Sequence, residues 1–164
     1  MPNVVLTLGD DISTDVIYPG RFMATVLPSE TPQFAFFDLP INGPLKNKQV
    51  VAGSVVVGGS NFGCGSSREQ ATSTLVGHGL VIVAKGFARI FLQNSVNLGL
   101  RTIICPDIEA SEGDIVEFEA DAVVNKTSGR RFAIVPLPKN SQAMIDAGGL
   151  IAYTRKRLIE RHAS

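Results

Sequence analysis

The sequence predicts an α/β fold: a mixed or parallel sheet layered with helices, followed by a smaller β segment. Three observations carry that reading. Val50 to Val57 (interrupted by Gly53 and Ser54) and Leu80 to Ala84 are apolar runs of the kind found in strands covered on both faces. The stretch between them has helix-forming character, so the three segments compose a β-α-β unit. Beyond residue 113 the chain reads as short strands joined by a hairpin.

Composition narrows the function classes. The chain has 164 residues, room for one domain with a real core, and its 45% hydrophobic and 18% charged residues argue against disorder. So little charge also suggests that another chain covers part of the surface. Net charge is zero and no basic run is interleaved with aromatics, which leaves nucleic acid without a footprint. No apolar run approaches the length of a membrane span, and no charged-then-apolar leader opens the chain. The expectation is a soluble cytoplasmic protein. Cys64 and Cys105 are too few for a disulfide framework, a four-cysteine zinc site or an iron–sulfur site.

The elements follow in order. Val4 to Leu8 is a short strand, closed by the acidic turn Gly9-Asp10-Asp11. On local chemistry that turn is either a metal site or a solvated turn with Asx caps. Arg21 to Leu27 leads into a proline-rich segment, where Pro28, Pro32, Pro40 and Pro44 deny a long helix or central strand and imply a surface loop. Its cluster Phe34, Phe36 and Phe37 reads as core or partner contact. A helix is expected over Ser67–Val76, stopped by Gly77-His78-Gly79, with strand Leu80–Ala84 after it. Phe87, Ile90, Phe91 and Asn94 fall at helical spacing before a Gly99 C-cap, and strand Thr102–Cys105 follows. A hairpin turning at Asn125–Gly129, a short helix over Ser141–Ala147 and a closing helix over Leu150–Arg161 complete the chain. Arg155, Lys156, Arg157 and Arg161 read as a solvated face, and His78 and His162 have no evident partner.

The stretch that carries chemistry is Gly58-Gly59-Ser60-Asn61-Phe62-Gly63-Cys64-Gly65-Ser66-Ser67-Arg68-Glu69-Gln70-Ala71. A strand, a glycine-rich turn and a helix start together aim backbone N–H groups at an anion. Two hydroxyls and a guanidinium follow, which suits a carboxylate or a phosphate. A Walker loop is excluded because Cys64 stands where its Lys belongs. A dinucleotide fingerprint from Gly63 would need glycine at Arg68, and no nucleophile elbow is present. The bland reading is that Ser66 with Glu69, or Ser67 with Gln70, forms a capping box.

Asn61-Phe62-Gly63-Cys64-Gly65-Ser66-Ser67-Arg68-Glu69 resembles the signature of the aconitase family, in particular the small subunits of 3-isopropylmalate dehydratase. Two further segments resemble the same family: Gly9-Asp10-Asp11-Ile12-Ser13-Thr14-Asp15-Val16-Ile17-Tyr18-Pro19-Gly20, and Lys85 to Leu100 with its Phe87-Ala88-Arg89-Ile90-Phe91 core. The resemblance implies one aconitase-type swivelling β/β/α domain over 1–164. It implies a hydro-lyase subunit of leucine biosynthesis that acts on a small 2-hydroxy dicarboxylate. It assigns Ser66 as general base with Asp15 as its catalytic companion, and Ser67, Arg68, Thr14 and Arg21 as substrate-binding. Phe22, Met23 and Ala24 form the implied specificity loop. Arg89 and Asn94 are expected to brace the glycine turn. No metal or cofactor is expected on this chain; a [4Fe–4S] cluster is expected on a large partner subunit. Gln70 replaces the family's usual His and Gly86 its common Ser, with Gln70 still expected to cap Ser67. The rivals are small subunits of homoaconitase or 2,3-dimethylmalate dehydratase, and a non-catalytic anion-binding module of the same fold.

Overall fold

A computed structural model describes residues 2–39 and 50–163. Strands β1 (Val4–Thr7), β2 (Val55–Gly58), β3 (Val81–Ala84) and β4 (Thr102–Ile104) form a parallel sheet in that order. Helix α2 (Glu69–Gly77) joins β2 to β3, and α3 (Arg89–Leu98) joins β3 to β4. The short helix α1 (Thr14–Ile17) follows β1. Strands β5 (Val116–Phe118), β6 (Ala122–Asn125) and β7 (Arg130–Ala133) make a separate antiparallel sheet. Helices α4 (Lys139–Asp146) and α5 (Leu150–Ala163) end the chain.

Side-chain alternation explains the layers. Val55, Val57, Val81 and Val83 point into one cluster with Val116, Val123 and Phe132 of the antiparallel sheet. Val56, Ile82 and Ala84 point the other way, onto Leu75 of α2, Phe91 of α3 and Tyr18. The parallel sheet is thus covered by a second sheet on one face and by helices on the other, which is why β2 and β3 are buried at every position. Strict period-two alternation would put Val4 and Leu6 on one face, yet they belong to opposite clusters. A register irregularity between them supplies the extra step.

Several expectations are corrected. Helix α2 begins at Glu69, with Arg68 extended at the cap position and no side-chain cap bond, so neither serine caps it. Gln70 does not reach Ser67; its Nε2 donates to the Met23 carbonyl at 3.4 Å. The proline-rich segment is not wholly a surface loop. Thr31–Phe34 is a 3₁₀ turn lying on α2, where Thr74 Oγ1 donates to Thr31 O at 2.7 Å and Pro32 fills the space over Gly77. Ala35 and Phe36 are fully buried, which places the aromatic cluster in the core. Pro40 and Pro44 lie outside the described residues. His78 is not isolated: its Nε2 lies 2.6 Å from the Pro32 carbonyl, inside the protein.

Other expectations hold. Gly99 caps α3 in the left-handed conformation. The cations of α5 are exposed, as are Leu150, Ile151, Leu158 and Ile159. Asn125 holds the hairpin turn as an Asx acceptor for Thr127 N and Ser128 N. No helix among the described residues is long and apolar enough to cross a membrane.

Candidate active site

The glycine turn is stitched to the acidic turn by backbone and side-chain bonds. Gly59 N donates to Gly9 O, Asp11 N to Ser60 O, Gly63 N to Ile12 O and Thr14 N to Cys64 O, at 2.7–3.0 Å. Asp10 Oδ1 accepts from Ser60 N at 2.8 Å, and Asp11 Oδ1 from Asn61 Nδ2 at 3.0 Å. These carboxylates are occupied by the turn, so the acidic cluster is a scaffold. Among the described residues no group of three His, Cys, Asp or Glu side chains can hold a metal ion.

Two glycines are required by close approach. A Cβ on Gly59 would lie 2.0 Å from Asp10 Oδ1. Gly63 has φ of +85°, and a Cβ there would meet the Phe91 ring at 2.2 Å. Phe62, Phe87 and Phe91 pack edge and face beneath the turn and give it a rigid floor.

On that base the structure gathers Thr14, Asp15, Ser66 and Arg68. Ser13 caps α1 through its Oγ, which accepts from Val16 N and fixes the direction of Thr14 and Asp15. Thr14 is buried, and its Oγ1 donates to Ser66 O at 3.0 Å and lies 3.2 Å from Ser66 Oγ. Ser66 Oγ therefore points at a hydroxyl that can either accept its proton or donate to its oxygen. Arg68 Nη1 donates to Asp15 Oδ1 at 2.7 Å, and that same oxygen accepts from Gly20 N at 2.8 Å. The guanidinium lies over Gly20, where a Cβ would come within 3.1 Å of Nη2. Arg68's hydrogen bond, and then that of Gly20 N–H, hold the Asp15 carboxyl below its usual 3.8. The folded form thus favours the carboxylate: the contact is complete at neutral pH and is lost only as pH falls through the lowered value.

The remaining candidates lie differently. Ser67 is exposed, without a side-chain bond among the described residues. Arg21 forks onto Asp38, with Nη1 2.7 Å from Oδ2, while its guanidinium covers the Phe22 and Phe37 rings. Phe22 does not project freely: it stacks on Phe34 at 4.1 Å. Met23 and Ala24 are exposed, leaving them as the accessible part of the loop. Arg89 and Asn94 make no hydrogen bond to the glycine turn among the described residues; the aromatic floor braces it instead.

Three residues were not found by sequence reasoning. Tyr18 is buried and its hydroxyl donates to Phe22 O at 2.9 Å, anchoring the loop. Asp38 holds Arg21, and Gly20 leaves room for Arg68. Tyr18 and Gly20 sit inside a motif already singled out, but only the fold shows what they touch.

The parallel sheet thus lies between helices and a second sheet, with the Ser-Ser-Arg turn leading into a crossover helix. The family model for the aconitase C-terminal domain matches residues 29–107. The small subunit of 3-isopropylmalate dehydratase from Methanosarcina mazei is 40% identical over 93% of this chain and 95% of its own. The isopropylmalate/citramalate isomerase small subunit of Methanocaldococcus jannaschii is 38% identical over 95% of this chain and 94% of its own. A crystal structure of 3-isopropylmalate dehydratase from M. jannaschii superposes with a TM-score of 0.86 at 36% identity, covering 97% of this chain and 96% of that one. The chain belongs to the family of 3-isopropylmalate dehydratase small subunits.

Proposed function

We propose that residues 1–164 form one swivelling domain, the small subunit of a hydro-lyase that interconverts 2- and 3-isopropylmalate by dehydration and rehydration. In this reading it closes over an active site shared with a large subunit. The observation that carries it is the Ser66–Arg68 turn: its serine is bonded to Thr14 and not to the helix, and its arginine is aimed by Asp15.

Dehydration of a hydroxy diacid needs a base for the carbon-bound proton, a grip on the carboxylates and help for the departing hydroxide. Ser66 is the base. Its alkoxide is favoured by the Arg68 guanidinium, by the uncapped N-terminus of α2 and by Thr14, whose hydroxyl turns from acceptor to donor as Ser66 loses its proton. Arg68, oriented by Asp15, offers its remaining N–H groups to a substrate carboxylate. Asp15 acts through Arg68 and is a positioning residue. Exposed Ser67, next to Ser66 in the turn, is a second donor. Arg21 reaches substrate only by exchanging Asp38 for a substrate carboxylate.

The residues of this chain do not fit an iron–sulfur cluster. Cys105 is fully buried in the sheet-sheet cluster, where burial pushes its thiol up to about 11, and Cys64 lies in the glycine turn. The cluster that assists hydroxide departure belongs, in this reading, to the large subunit, so no step on this chain passes through it. The setting is cytoplasmic leucine biosynthesis.

Specificity rests on the exposed part of the loop. Assayed with the large subunit against a panel of 2-hydroxy diacids, the wild type is expected to favour isopropylmalate, with citramalate next given the relative named for both. Failure to dehydrate any of them would remove the reading, and preference for homocitrate- or dimethylmalate-type acids would replace it with a rival. Met23→Ser is expected to shift relative kcat/KM among these acids by about 1–3 kcal/mol. Phe22→Ser is expected to lower the melting temperature, because its ring belongs to the aromatic stack. An unchanged ranking in Met23→Ser would take Met23 out of the pocket.

A further inference from the structure

We propose that the hollow between the glycine turn and the start of α3 is the seat of the large subunit, which places an apolar side chain on Ile90 and a carboxylate on Arg89. The proposal rests on the two-subunit reading above and adds where the partner binds.

The hollow measures about 590 Å³ and is lined by Gly63, Gly65, Ala88, Arg89, Ile90 and Gln93. It adjoins the active-site turn directly, since Gly63 and Gly65 belong to both. Its geometry is fixed: Phe62 N donates to Gly86 O at 3.0 Å and Ala88 N to Phe62 O at 2.9 Å, which ties the entry of α3 to the turn.

Two side chains here remain unsatisfied by the chain itself. Ile90 is 53% exposed, on a helix whose Phe91 and Val96 are buried in the core. Arg89 is exposed and has no ion pair among the described residues, as is also true of Arg101, Arg155 and Arg157; of these it is Arg89 that lines the hollow beside the active-site turn. An apolar residue next to an unpaired guanidinium calls for a partner that is apolar at one point and anionic beside it. The position decides which partner. Ser66 and Ser67 are exposed, so the site closes only when another surface covers it, and that surface must reach the turn's own flank. The apolar face of α5 (Leu150, Ile151, Leu158 and Ile159) is larger, but it carries none of the site's residues.

The test compares binding of the purified large subunit to wild type, Ile90→Asp, Arg89→Glu and Ile151→Asp by titration calorimetry, with thermal unfolding as the folding check. Both α3 side chains are exposed, so the variants are expected to melt as wild type does. Ile90→Asp and Arg89→Glu should each raise Kd by about tenfold or more, and Ile151→Asp should leave it unchanged. Wild-type affinity in both α3 variants, or loss confined to Ile151→Asp, would overturn the proposal while the two-subunit reading stands. A wild-type chain that does not bind the large subunit at all would sink that reading, and this proposal with it.

Discussion

Replacing Ser66 by alanine is expected to lower kcat of the assembled enzyme by roughly 10²–10⁴-fold while the variant folds and melts close to wild type. The two halves of that expectation come from one geometric fact. Ser66 Oγ lies against Thr14 Oγ1, 52 positions earlier in sequence, and accepts no backbone N–H from the start of α2. Had the hydroxyl capped the helix, its loss would cost about 1 kcal/mol of stability and leave turnover intact. Kinetics and thermal unfolding on the same preparation separate the cases. A lower melting temperature with normal kcat would remove Ser66 as the base. Arg68→Lys is the companion variant: it keeps the charge but not the planar fork that bonds Asp15 and a carboxylate together, so KM should rise more than the melting temperature falls.

Gly63→Ala is expected to be strongly destabilising. Its φ of +85° is left-handed, costing an L-residue about 1–2 kcal/mol, and the new Cβ would sit 2.2 Å from the Phe91 ring. Phe91 is buried between Phe62 and Phe87 and has nowhere to move, so overpacking adds about 1–3 kcal/mol. Together these predict a loss of roughly 2–5 kcal/mol, or a fall of roughly 4–20 °C in melting temperature by calorimetry. An unchanged melting temperature would mean that the aromatic floor is softer than the contacts imply.

Much of this was legible in the chain, and what was not has physical reasons. The all-apolar runs gave β2 and β3, because a strand buried on both faces has no polar alternation to hide. The turn around Asn125 was legible because Asx chemistry is local. The start of α2 was not: Ser-x-x-Glu is a capping pattern, but Thr14 competes for the Ser66 hydroxyl from a distant segment, and tertiary contact wins. The bulge in β1 left no sequence mark, since Val4, Val5 and Leu6 are apolar whichever way they face. Prolines suggested that residues 28–39 lie on the surface, yet Pro32 is itself core, filling the hollow that Gly77 leaves. At the site, residue types in the glycine turn marked Ser66, Ser67 and Arg68 as suited to an anion, and the resemblance, not spacing, added Thr14 and Asp15. Arg21 was placed on substrate by resemblance, and only the fold reveals that Asp38 holds it.

As proposed, this chain supplies half of a shared active site: base and carboxylate grip, but not the group that helps hydroxide leave. The most direct test is turnover of 3-isopropylmalate, followed by absorbance of the unsaturated intermediate acid, for the chain alone, the large subunit alone and the two mixed. Turnover is predicted only in the mixture, rising to saturation as this chain is titrated into a fixed amount of the large subunit. Measurable turnover by the rigorously purified chain alone, or a mixture no more active than the large subunit by itself, would contradict it.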